Sequence, residues 1–373
     1  MLTDLSVTSV SRSRLGDVDF DNLGFGNVFS DHMFSMKYQD GRWQQPEVLP
    51  YGPVPVDPAN ATLHYGQAVF EGLKAFMGDD GTVRIFRPDM NYARLCDSCQ
   101  RLCIPVPDAD QFYGAMESLI QLDHGWIPRR RGQALYIRPL IFSDESHLEV
   151  RPSQRFRFLV MTAPVRAYFD EDAAAIDLKV EEQYTRSAPG GMGAAKTSGN
   201  YAASLFPGEE GRKQGFAQVL WLDGLEHRYV EEVGAMNIFF RIDGKVVTPS
   251  LVGTILPGVT RNSVIQLMED AGDPVDERRI EIDEVVAAIR EGRMQECFGA
   301  GTAAIIAPVG GISYRGEHLS INNSQAGEVT RRLYDEFTGI QLGEVPDRHG
   351  WNRLVTVDTA SRSKRAASGA VSR

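Results

Sequence analysis

The chain is expected to fold as a mixed α+β protein of two domains, with antiparallel strands prominent in its sheets. Three observations lead there. Strand-like runs such as ALYIRPLIFS and RFRFLVMTAP alternate irregularly with RPDMNYARLCDSCQRL and ADQFYGAMESLIQLDHG, whose apolar residues recur at helical spacing. Asp223-Gly224 and Asp243-Gly244 interrupt a long β-rich segment as tight hairpin turns do. A length of 373 residues also exceeds one ordinary core. Strands and helices do not alternate regularly, so a doubly wound parallel sheet is not expected.

Taken in order, residues 1–20 are polar and read as a disordered start. Residues 21–168 form a smaller first domain. AYFDEDAAAID (167–177) has acids and small residues after an apolar strand, so 169–177 reads as a connecting loop. A larger domain, 178–360, opens on strand-like LKVEEQYTRS and continues into the two hairpins. A helix follows over PGVTRNSVIQLMEDAG, ended by Gly272 and Pro274. QECFGAGTAAIIAPV places a Gly-rich turn between apolar stretches, and AGEVTRRLYDEFTGIQ closes the domain as an amphipathic helix. The last stretch, SRSKRAASGAVSR (361–373), reads as a disordered tail.

Bulk properties narrow the function. A formal net charge of −11 disfavours a nucleic-acid partner, because phosphate backbones attract basic surfaces. No apolar run is long enough to cross a bilayer, and MLTDLSVTSVSRSRLG lacks the apolar stretch of a signal peptide, so a cytoplasmic protein is expected. Cys96, Cys99 and Cys103 fall in RLCDSCQRLCIP without a second CxxC or paired histidines, and Cys297 stands alone. Reduced thiols are expected there, not a metal site.

Five features could carry chemistry. GGMGAAKTSGNYAAS (190–204) surrounds Lys196 with small residues, as an amine that must receive a flat, bulky partner requires; a flexible loop with an incidental lysine has the same composition. In HRYVEEVGAMNIFF, Glu231 and Glu232 should point to opposite faces of a strand, one to solvent and one inward, where a buried charge needs a partner. LPGVTRNS and GAGTAAI, the latter with Thr302, place glycine and hydroxyl residues in turns suited to phosphate or to ordinary caps. Arg94 could complete a phosphate site or lie in solvent. Tyr65, Phe70, Tyr136 and Arg138, in HYGQAVFEGLKAF and LYIRP, could hold a carboxylate beside an apolar pocket or simply pack a core.

These motifs, together with FGNVFSDHMFSM, YGPVPVDPANATLHYGQAVFEGLKAF, YVEEVGAMNIFF, ILPGVTRNS and CFGAGTAAIIAPV, resemble the branched-chain amino-acid aminotransferases of bacterial type, class IV enzymes that use pyridoxal 5′-phosphate. The resemblance covers roughly residues 20–352. It implies the two-domain class IV fold with the active site at the domain interface. By it, Lys196 is the catalytic lysine that condenses with the cofactor aldehyde, and Glu232, not Glu231, is the carboxylate beside the pyridine nitrogen. Tyr201 faces the phenolic oxygen, and Arg94, Val259, Thr260 and Thr302 form the phosphate cup. Phe25, Tyr65, Phe70, Tyr136, Arg138 and Tyr168 match the substrate chamber, and Ala235 and Ala303 the backbone donors to the α-carboxylate. The implied reaction exchanges an amino group between leucine, isoleucine or valine and 2-oxoglutarate, in a homodimer whose small-domain loops reach across. Mammalian mitochondrial-type members carry a redox CxxC after the GT of the last motif; here AIIA (304–307) stands there. D-amino-acid aminotransferases and aminodeoxychorismate lyases share the lysine and glutamate but not HYGQAVFEGLKAF with LYIRP. A non-catalytic protein that merely binds the cofactor is the reading from another class, and it has no need of Lys196, Glu232 and Tyr201 together.

Overall fold

The computed structural model describes residues 2, 4–166 and 175–357. Two sheets organise them. The first has ten strands, with His32–Gln39, Phe156–Val165, Ala134–Ser143, Leu73–Met77 and Val83–Phe86 in spatial order across it, all antiparallel. Its inner face packs Phe34, Val69, Ile137 and Phe158 against helices Pro88–Arg101 and Ala109–Asp123. The second helix starts at a reciprocal cap in which Asp108 and Gln111 satisfy each other's backbone N–H groups.

The second sheet has nine strands and closes on itself. Val230–Val233 pairs with Gln218–Leu222 on one side and with Met236–Ile242 on the other. The path returns through Met294–Gly301, Ile305–Tyr314 and Ile176–Glu181, so six strands form a ring. A strand inside such a ring has no free edge. Val230–Val233 is buried along its whole length. A third apolar cluster joins the two sheets, with Phe76, Phe86 and Tyr136 from the first against Phe239, Phe298 and Phe337 from the second part of the chain.

The Asp243-Gly244 hairpin is as expected: both residues have positive φ, 51° and 78°, and Ile242 pairs with Lys245 across a two-residue turn. The other hairpin differs. Leu222 pairs with Val230, and the loop between them winds around the Asp223 carboxylate, which accepts N–H bonds from Leu225, Glu226, Arg228 and Tyr229. Asp223 acts here as a loop core, not as one half of a tight turn.

The start of the chain also differs from the disordered segment expected for 1–20. Ser6–Val7 adds a parallel edge strand beside Glu47–Pro50. Val10 N–H donates to His32 Nε2 at 3.1 Å, and Ser13 Oγ and Arg14 N–H donate to Asp31. Buried acceptors in the first domain hold this polar segment. At the other end, Asn352–Val355 pairs with Val83–Phe86, so residues expected in the larger domain complete the first sheet. Ile176 and Asp177, expected within the connection, already belong to a strand; residues 169–174 of that connection and the 361–373 tail lie outside the described residues. No described helix is long and apolar enough to cross a membrane.

Burial opposes ionisation of Asp223, but the four backbone donors outweigh it and hold the carboxyl down at about 2, against an ordinary 3.8. The contribution is therefore complete above the unfolded value and lost as pH falls from about 4 toward 2, a difference of about 2 kcal/mol. Asp223→Ala is expected to lower unfolding stability by about 2 to 3 kcal/mol at neutral pH and to flatten the acid limb of the stability curve, as read by urea denaturation. An unchanged midpoint would show that the loop does not depend on this carboxylate.

Candidate active site

Lys196 sits where the two sheets meet. Its backbone N–H donates to Ser98 Oγ at 2.9 Å, its carbonyl accepts from Phe70 N–H, and Thr197 Oγ1 donates to Ala68 O at 2.7 Å. The lysine belongs to the second half of the chain but is pinned to the first sheet and its helix. Of the glycines before it, Gly193 is a spatial necessity: its Cβ would lie 2.2 Å from Thr254 O. The chain then enters helix Ser198–Lys213, which brings Tyr201 Oη to 3.0 Å from Lys196 Nζ. The amine also lies 5.2 Å from the centre of the Phe70 ring.

Glu232 reaches the same cavity from the ring strand Val230–Val233. It is 3% exposed. Oε1 accepts from Leu256 N–H at 3.3 Å. Oε2 lies 2.8 Å from Arg186 Nη1, yet it accepts no directed hydrogen bond, because that guanidinium nitrogen donates to the carbonyls of Thr254 and Gly193. Arg186 therefore neutralises Glu232 without satisfying it. Burial pushes the carboxyl up to about 7, with Arg186 and the Leu256 N–H pulling the other way.

Arg94, on helix Pro88–Arg101, lines the same cavity. Nε and Nη2 each donate to Glu71 at 2.8 Å, a bidentate pair that is buried on both sides, and Nη1 donates to Pro257 O at 3.0 Å. Glu71 also accepts from Asn91 Nδ2 and Gly72 N–H. Burial works against ionisation of Glu71, and the Arg94 guanidinium beside it prevails and holds the carboxyl below its ordinary range. Next to Arg94, Val259 and Thr260 open helix Val259–Asp270, preceded by Gly258, where a Cβ would lie 2.0 Å from Asn237 Oδ1. Thr302 and Ala303 come from the turn between Met294–Gly301 and Ile305–Tyr314.

Arg94, Val259, Thr260, Thr302, Lys196, Tyr201 and Glu232 all line one cavity of about 190 Å³, together with Phe25, Phe70, Tyr136, Arg138, Ala235 and Ala303. Phe25 packs edge-on against Tyr136, and Arg138 donates to Tyr136 Oη at 2.8 Å while lying 4.8 Å from the Phe70 ring centre. Two expected residues are not in this set. Tyr65 is 43% exposed on helix Ala61–Tyr65, and its hydroxyl donates to Leu148 O, so it does not line the cavity of its own chain. Tyr168 lies outside the described residues. The expectation that one of Glu231 and Glu232 faces solvent fails as well, since Glu231 is only 4% exposed. In a strand enclosed by a ring and its neighbouring loops, both faces are covered.

The cavity suits a flat group that is cationic at one end and anionic at the other. Glu232 offers a buried oxygen with no hydrogen bond, and Arg94 and the N-terminus of helix Val259–Asp270 offer positive potential to the same cavity. Residue-by-residue reading missed Arg186, Glu71, Asn237 and Ser98. Glu71 had a signal, a glutamate before glycine inside an apolar strand-like run; Arg186 and Ser98 act over long sequence separations. Cys96, Cys99, Cys103 and Cys297 are free thiols. Among the described residues no group of three or more His, Cys, Asp or Glu could hold a metal ion.

Comparison with known proteins places this geometry. Residues 68–312 match the family described as amino-transferase class IV. The chain is 48% identical over 345 residues to branched-chain-amino-acid aminotransferase 2 of Bacillus subtilis, covering 92% of this chain and 95% of that one. It is 47% identical over 335 residues to the branched-chain-amino-acid aminotransferase of Mycobacterium tuberculosis, covering 88% and 91%. Its fold is similar to the crystal structure of Escherichia coli branched-chain amino acid aminotransferase, with TM-score 0.73, 28% identity, and coverage of 88% and 99%. The T.th. branched-chain amino acid aminotransferase with pyridoxamine 5′-phosphate gives TM-score 0.71 and 28% identity, covering 85% and 97%.

Removing one member of a buried ion pair leaves the other charge without compensation. Glu71→Gln, which keeps the shape and loses the charge, is expected to lower unfolding stability by about 3 kcal/mol, measured by urea denaturation. A loss below about 0.5 kcal/mol would mean that Arg94 is held by other contacts.

Proposed function

The chain belongs to the class IV aminotransferases, and from that premise we propose that it exchanges an amino group between leucine, isoleucine or valine and 2-oxoglutarate, using pyridoxal 5′-phosphate. One observation carries the reading: a lysine amine, a buried carboxylate and a buried guanidinium converge on one aromatic-walled cavity. When bound, the cofactor supplies an aldehyde and an electron-withdrawing ring that accepts the electrons released at the substrate Cα.

The chain's own residues divide the remaining work. Arg94, the N–H of Val259, Thr260 and Thr302 hold the phosphate. Glu232 holds a proton on the ring nitrogen, and its raised pKa, about 7, sets the pH at which it can do so as a carboxylate. Tyr201 orients the phenolic oxygen. Lys196 Nζ, held 3.0 Å from Tyr201 Oη, would be the group that condenses with the aldehyde and that moves a proton at the substrate Cα.

One pocket must accept both an aliphatic side chain and that of glutamate. Phe25, Phe70 and Tyr136 provide the apolar wall, and Arg138, pinned by Tyr136 Oη, provides the distal cation. The backbone N–H groups at Ala235 and Ala303 receive the α-carboxylate. A second copy of the chain completes the site: Leu63, Tyr65, Leu148 and Val150 form an exposed apolar projection whose two strands of chain are tied by Asn60 and Ser146, and a homodimer would cover it.

Lys196→Ala is expected to lower transamination by about a thousandfold or more and to remove the visible absorbance that appears when wild type is mixed with pyridoxal phosphate. L-leucine with 2-oxoglutarate should turn over and D-alanine should not; preference for D-alanine would overturn the substrate class. Arg138→Met should weaken use of glutamate by about ten- to a hundredfold while sparing leucine, since one charge-assisted contact is worth about 1.5–3 kcal/mol. Equal losses on both donors would reassign Arg138.

A further inference from the structure

Glu231 has no part in the chemistry above, yet the fold buries it as deeply as Glu232. Its Oε1 accepts from Thr254 Oγ1, and its Oε2 has no hydrogen-bond partner. The charges that act on it are those of Arg186, Arg279 and Asp223; those that act on Glu232 are Arg186, Glu231 and Lys196. Arg186 is common to both carboxylates.

Thr254 ties these groups together. Its hydroxyl serves Glu231, while its carbonyl accepts from Arg186 Nη1 at 3.0 Å and Ser187 Oγ at 2.7 Å. Two residues later, Leu256 N–H donates to Glu232. Segment 254–256 is thus stitched to both glutamates and to the Arg186 guanidinium, and it leads into Gly258 and helix Val259–Asp270.

We propose that Glu231 is a positioning residue: through Thr254 and the shared Arg186 it sets how readily Glu232 ionises, and so the pH range over which the cavity holds a ring cation. The inference rests on the reading of Glu232 as partner of the ring nitrogen. An ionised Glu231 competes for Arg186 and repels a second negative charge next door, so Glu232 keeps its proton to higher pH. A neutral Glu231 leaves the guanidinium to Glu232 alone. The Thr254 hydroxyl favours the ionised form of Glu231 by donating to it. Burial raises Glu231 above the ordinary carboxylate range, which brings this exchange nearer to neutral pH.

The test uses the full chain freed of cofactor and pyridoxine 5′-phosphate, which lacks the aldehyde and so forms no bond with Lys196. Its affinity is followed by calorimetry as pH varies. Affinity should fall on the acid side, where Glu232 takes up the proton that a ring cation must displace. Glu231→Gln keeps an acceptor for Thr254 and removes the charge; it should move the acid-side midpoint about one pH unit lower, which is about tenfold tighter binding below the wild-type midpoint. Thr254→Val should move it in the same direction by less, and Thr254→Ser should leave it in place, a comparison that stands even if the glutamine variant folds poorly. A midpoint shared by wild type and Glu231→Gln, or by Thr254→Val and Thr254→Ser, would overturn the inference alone. Failure of wild type to bind the probe at any pH would overturn the reading of the site and the inference with it.

Discussion

The arrangement depends on one constraint: a carboxylate taken out of water and left with an oxygen that nothing hydrogen-bonds. Isolated buried charge costs several kcal/mol, and partial neutralisation by Arg186 does not remove that cost. The chain carries it because the closed ring of strands forces Glu232 inward, with Gln218–Leu222 and Met236–Ile242 on either side. A group that brings its own positive charge relieves the strain. Phe25, Phe70 and Tyr136 line the same cavity and give it an apolar wall.

The two sheets divide the work. The first contributes Arg94 through its helix and Phe70, Tyr136 and Arg138 through its strands; the second contributes Glu232, the 254–260 segment and the 302–303 turn. Lys196 lies in the loop before helix Ser198–Lys213 and is bonded to the first sheet through Phe70 and to its helix through Ser98. The reactive amine therefore registers the two halves against each other.

Much of this was readable in the chain itself, for reasons that differ by residue. Around Lys196 the glycines and alanines that clear space for an amine are visible, but a flexible loop has the same composition. Before Val259 and Thr260 a helix start is visible, but an ordinary cap reads the same way, and only the resemblance of the joined motifs assigned both roles. Glu71 showed only a glutamate before glycine in an apolar run, and Arg186 showed nothing, because its partner Glu232 lies far along the chain, where spacing says nothing. Glu231 was misjudged because alternation of faces holds for a strand with one solvated side and fails in a ring whose outer face is also covered. The first twenty residues look unstructured by composition, yet their polar groups find Asp31 and His32, acceptors that only the folded first domain provides.

The central claim is that Glu232 keeps a proton on a ring nitrogen. Nitrogen-15 NMR of protein reconstituted with ring-labelled pyridoxal phosphate reads that proton directly. The account predicts a protonated ring nitrogen in the wild-type protein at neutral pH and an unprotonated one in Glu232→Ala at the same pH. An unprotonated nitrogen in the wild type, or the same shift in both proteins, would contradict it.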